Sequence, residues 1–195
     1  MNTREIALTV CFAGLAIVLN PAISGIGIPY PLLPGMIFQI WEIPTVVAFL
    51  LFGFIVGFSV AAVNSVFLLA VYPGMAQPWY WLGSLVSVSS MMLGVWIANR
   101  IIRHTAPENR NPLRSKTLVA YLALGVLFRV VFMAPVMLLI LSILTYPSIS
   151  VLGVVKVVLP LQAIFNILVP LYMIPSGYLI AKIINRNLRI GNEIG

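Results

Sequence analysis

The sequence is short of nearly everything that carries polar chemistry. It holds 1 cysteine, 1 histidine and 4 acidic residues, and charged residues of both signs make up 8% of its 195 positions. With Cys11 as the sole thiol, no intramolecular disulfide can form, and a thiol within an apolar run reads as ordinary packing. With His104 as the sole imidazole, placed among basic residues, neither a His/Cys metal centre nor a hydrolytic triad can be assembled. The carboxylates are Glu5, Glu42, Glu108 and Glu193, and only Glu42 falls close to an apolar interior. A proton- or sodium-coupled pump lays acids along its path, so this chain has no evident means of powering transport by itself. It also lacks a GxxxxGK[ST] phosphate loop, which excludes ATP hydrolysis by that route. No stretch repeats another, and the apolar runs do not alternate with polar residues as barrel strands do.

What is present is hydrocarbon. Hydrophobic residues make up 62% of the chain and the mean hydropathy is +1.11, too apolar to clothe a water-soluble globule. The sequence therefore predicts an all-α membrane protein, a single integral membrane domain over 1–195. A spanning helix needs about 20 apolar residues. Six segments approach that length, roughly 5–24, 39–52, 54–72, 78–100, 117–145 and 154–185, the second being the shortest. Arg4 followed by an apolar run also suits a cleaved signal peptide, but removing it would place the N-terminus outside without explaining the charge pattern.

That pattern is uneven. The net charge is +7, and all 11 Lys and Arg except Arg129 and Lys156 lie before the first segment, in or beside the 101–116 loop, or at the end of the last segment. Six spans place those three regions on one side, and the positive-inside rule makes that side cytoplasmic, with both termini and the 101–116 loop. The connections near 25–36, 73–77 and 146–153 then face outward. The basic excess is a topology signal, and nucleic acid is not an expected partner.

Small residues mark where helices approach one another: Gly53, Gly57, Ala61 and Ser65 along the third segment, Gly83, Ser87, Ser90 and Gly94 along the fourth, and Thr9, Ala13 and Ala16 along the first. Each stripe suits close packing in lipid, either within the chain or against a partner. The first outer connection is rich in Pro, Gly and aromatics, as an ordered lid would be. The second carries Trp79, Tyr80 and Trp81, either interface anchors or flat walls for a fused-ring ligand. Gln162 and Asn166 share one face of the sixth segment, one turn apart.

Arg129 is the sharpest feature. It stands alone in the stretch LGVLFRVVFMAPVML, about 18 Å along a helix from Thr117 and too deep to snorkel to the cytoplasmic face. It must find acceptors inside the bundle: Glu42, Asn64, Gln162, Asn166, carbonyls freed by a proline, or a ligand. A structural tie between helices and a cavity floor that touches ligand, with Met133 one turn outward packing against its rings, both fit the sequence.

The order of these features resembles the substrate-capturing S component of energy-coupling factor (ECF) vitamin transporters, over about residues 5–186. The outer loop leads into "WEIP", Trp41 to Pro44, with Glu42 where the family more often has Asp, and "FGFIVG" matches a glycine pair at the next turn. Arg129, Met133, Pro160 and Asn166 resemble the riboflavin-specific branch, although Met137 and Val169 replace an Asn and a Lys of its pattern. The resemblance implies a non-catalytic transport subunit in the cell membrane, without a cofactor, that binds riboflavin or a related flavin near the outer face. It implies partnership with one transmembrane coupling protein and two ATPase subunits, within membrane lipids. Thr9, Ala13 and Ala16 would meet the coupling protein, and Glu42, Asn64, Trp79, Tyr80, Trp81, Arg129, Met133, Gln162 and Asn166 would surround the vitamin. Thiamine, folate, pantothenate and biotin are other vitamins of such components. A structural or assembly subunit and a lipid-modifying enzyme that grips phosphate through Arg129 are readings of other classes.

Overall fold

The computed structural model describes residues 1–33, 36–71, 80–105, 117–140 and 151–188. Trp79, the 73–77 connection and most of the 101–116 loop fall outside the described residues. Helix α1 (Thr3–Leu19) opens with a capping box: the Asn2 side chain accepts from the Glu5 amide and the Glu5 carboxylate accepts from the Asn2 amide, both at 2.8 Å. It ends where Pro21 begins the short α2 (Pro21–Ser24), which Asn20 caps by accepting from the Ala22 amide at 3.1 Å. A two-stranded antiparallel hairpin follows, with β1 (Ile28–Pro29) paired to β2 (Ile37–Phe38). Helices α3 (Glu42–Phe52) and α4 (Phe54–Val71) are separated by Gly53 alone. Its φ of 92° is open to glycine and strained for other residues, so the expected boundary between the second and third segments is a backbone break.

Helix α5 (Tyr80–Thr105) runs past the apolar segment that predicts it, because Arg103 and His104 in its last turn suit the negative end of the helix dipole. Helix α6 (Thr117–Leu138) carries Arg129, and α7 (Val151–Gly153) passes through a π-helical stretch, Val154–Val158, into α8 (Leu159–Leu188). Among the described residues, four helical stretches, Phe54–Val71, Tyr80–Thr105, Thr117–Leu138 and Val154–Asn187, are long and apolar enough to cross a membrane. Helix α1 has 17 residues and α3 has 11, so these two fall short of the usual spanning length. Val10, Ile55, Val66, Val119, Val131 and Leu179 point outward, as side chains bathed in lipid do.

The helices form a bundle in which α3 packs against α1, α4 and α8, while α5 packs against α4 and α6, and α6 against α8. Close approach is real at Gly94, where a Cβ would collide with the backbone of Leu124 on α6. On α1, Thr9, Ala13 and Ala16 are all buried within this one chain, where their small side chains serve internal packing. Ala16 is 0% exposed. Ala16→Trp is therefore expected to lower stability by about 1–3 kcal/mol through overpacking. The reading is apparent Tm in detergent. A variant as stable as wild type that had lost only assembly with other subunits would return the stripe to the outer surface.

Candidate binding site

Glu42 is the first residue of α3, where a carboxylate suits the positive end of the helix dipole and where Pro44 costs no hydrogen bond. Its side chain meets Arg129 from α6 in a two-pronged pair: Nη1 donates to Oε2 at 2.6 Å and Nη2 to Oε1 at 3.1 Å. Arg129 Nε donates to Asn166 Oδ1 on α8 at 3.1 Å, and Nη1 also lies 3.8 Å from the Met91 sulfur on α5. Asn166 is held in turn by donating from Nδ2 to the Gln162 carbonyl at 3.0 Å. Glu42 is 1% exposed and Arg129 and Asn166 are 2% exposed, so water does not weaken these bonds. The buried charge is thus matched inside the protein, and the planar guanidinium fork ties α3, α6 and α8 together.

Directly beside this cluster lies a cavity of about 140 Å³. Glu42, Arg129 and Asn166 form its polar base, while Met133, Met137 and Phe165 give it soft and aromatic faces. Helix α5 contributes Tyr80, Gly83, Ser84 and Ser87 as one stripe. The hairpin roofs the cavity with Leu33, Met36 and Ile37. It is pinned to α8 by Tyr30, whose hydroxyl donates to the Leu161 carbonyl at 3.1 Å, and by ring contacts of Tyr30 and Phe38 with Phe165 at centroid distances of 5.3 and 5.0 Å. The Pro, Gly and aromatic content of this connection thus produces a packed roof.

Of the residues expected around a ligand, Glu42, Tyr80, Arg129, Met133 and Asn166 reach the cavity wall. Three others do not. Trp81 stands about 100° round the helix from Tyr80, off the cavity stripe. Asn64 is fully buried toward α1 and accepts from Asn20 Nδ2 at 3.3 Å. Gln162 lies behind the wall, where its Nε2 donates to the Met133 carbonyl at 3.5 Å. Conversely, the wall includes Gln39, Ser84 and Ser87, none of which sequence reasoning places at a ligand. Ser87 belongs to the small-residue stripe of α5, which divides along its length. Gly83 and Ser87 border the cavity, while Gly94 forms the contact with α6.

No family model matches the sequence, and no curated protein matches it. The fold is similar to that of a solved structure, the S component of a bacterial ECF transporter, at 18% sequence identity and a TM-score of 0.72. The match covers 97% of this chain and 99% of the other. From end to end, the chain has the fold of an ECF-transporter S component.

Proposed function

We propose that the chain is a non-catalytic, substrate-binding S component of an ECF-type importer and that its substrate is riboflavin or a closely related flavin. The observation that carries this reading is the charge state of the cavity wall. Among the described cavity residues the acidic and basic side chains are Glu42 and Arg129, and each is bonded to the other. A base that is neutral as a unit, under soft sulfur and aromatic faces, favours a neutral, flat, partly apolar solute. Riboflavin has that character. Biotin, pantothenate and folate bring carboxylates that want a free cation, and thiamine brings a cation that wants a free anion. Arg129 is likewise committed to Glu42 and Asn166, which leaves little of it for a phosphate and speaks against the lipid-modifying reading.

On this reading the cavity opens toward the outer face of the cell membrane and both termini lie in the cytoplasm, as the basic flanks favour. A transmembrane coupling protein and two ATPase subunits would supply the energy that this chain has no motif to supply. The vitamin is cargo, and no cofactor is required. The experiment is a titration of purified protein with riboflavin, thiamine, biotin, pantothenate and folate in turn, followed by tryptophan fluorescence and calorimetry. Saturable binding of riboflavin at least about a hundredfold tighter than the others, a difference of roughly 2.7 kcal/mol, is expected. Preferential binding of any charged vitamin would overturn the assignment to flavin.

A further inference from the structure

The base formed by Glu42, Arg129 and Asn166 does not account for the polar side of the cavity on α5. Tyr80, Ser84 and Ser87 follow one another at helical spacing over about 10 Å and all line the cavity. A serine hydroxyl within a helix usually turns back onto a carbonyl of the preceding turn. Ser65 does so onto Ala61 at 2.9 Å, and Ser87 and Ser90 do so onto Ser84 and Ser87 at 3.0 Å. Ser84 differs. Its residue is 8% exposed, its Oγ has no hydrogen-bond partner, and it borders the cavity. A buried hydroxyl left unbonded is costly, and it can both donate and accept. Across from the start of the stripe, Gln39 accepts from the Tyr80 hydroxyl at 3.4 Å, which brings its carboxamide to the same wall.

We infer that the α5 wall, Ser84 with Ser87, Tyr80 and Gln39, is a subsite for the hydroxylated chain of the ligand, and that Ser84 bonds a ligand hydroxyl. This inference rests on the flavin reading and divides the cavity into two parts. The flat ring system lies against Met133, Met137 and Phe165. The polyol tail runs along α5, where hydroxyls and a carboxamide match groups that each donate and accept. An apolar tail would leave Ser84 unbonded. A polyol completes it.

The test compares riboflavin with lumiflavin, which keeps the ring system and replaces the polyol with a methyl group. Wild type, Ser84→Ala and Ser84→Thr are titrated with both, and apparent Tm is recorded for each protein. Ser84→Ala is expected to lose about tenfold in affinity for riboflavin and to bind lumiflavin as wild type does. Ser84→Thr, which keeps a hydroxyl, is expected to retain most of the riboflavin affinity. Equal losses for the two ligands, or no loss for riboflavin, would overturn the subsite while leaving the flavin site in place. Failure of wild type to bind either flavin would overturn both. A drop in Tm for Ser84→Ala that matched its loss of affinity for both ligands would assign Ser84 to the scaffold and also defeat the subsite.

Discussion

Arg129→Met is expected to destabilise the protein by about 3–5 kcal/mol, the largest loss among single replacements in the base of the cavity. The loss comes less from the missing attraction than from what remains. Glu42 at 1% exposure would keep a carboxylate without its guanidinium, and Asn166 Oδ1 would lose its donor. Arg129→Lys keeps the charge but has one ammonium in place of a planar fork that meets both carboxylate oxygens and Asn166 together, so it should fold with a smaller loss. The double variant Glu42→Leu with Arg129→Met removes both charges and should recover most of the stability, giving a coupling energy of at least about 2 kcal/mol. Apparent Tm in a single detergent, measured for all four proteins of the cycle, reads this directly. Additive losses would mean that the two side chains do not depend on each other.

Gly83→Leu is expected to produce the opposite profile, an intact fold with a lost site. Gly83 lines the cavity, and a Cβ built there meets only Ile140 Cδ1, at an ordinary 3.7 Å. No backbone stands in the way, in contrast to Gly94, where an added side chain meets Leu124. Leucine is also about 0.8 kcal/mol better than glycine within a helix. Its side chain therefore takes ligand space without breaking α5, and affinity should fall by about a hundredfold or more, roughly 2.7 kcal/mol, at unchanged or higher Tm. Gly94→Leu is the matching control, in which stability should be lost by overpacking.

The two variants bear on how much of the site is legible in a sequence. Glu42, Arg129 and Asn166 stand out because polar groups in long apolar runs are costly and must find partners, so the search for Arg129's acceptor begins with a very short list. Met133 follows from the resemblance and from its place one turn beyond Arg129. The direction in which a small residue faces is harder. Thr9, Ala13 and Ala16 announce close helix contact but not the identity of the other helix, and in the fold that helix belongs to the same chain. Ser84 and Ser87 look like packing serines for the same reason, since a small side chain suits both a tight contact and an open wall. Trp81 looks like a ligand wall because it is aromatic, yet rotation about α5 gives the wall to Tyr80. Asn64 suggests a site by its depth, but Asn20, at the end of α1, reaches it first. The helices themselves are evident from their apolar lengths, and the break at Gly53 from the glycine between two such runs. The π-helical turn at Val154–Val158 and the reach of α5 to Thr105 are not, because they depend on hydrogen-bond register and end effects that composition does not record.

We propose that the cavity between α3, α5, α6 and α8, under the hairpin, holds a neutral flavin. The most direct measurement is a riboflavin titration of wild type beside Gly83→Leu, followed by quenching of flavin fluorescence, with the two proteins matched in Tm. Saturable one-to-one quenching in wild type, displaced by about a hundredfold or more in the variant, is the result the account predicts. Absence of saturable quenching in folded wild type, or the same curve from both proteins, would contradict it.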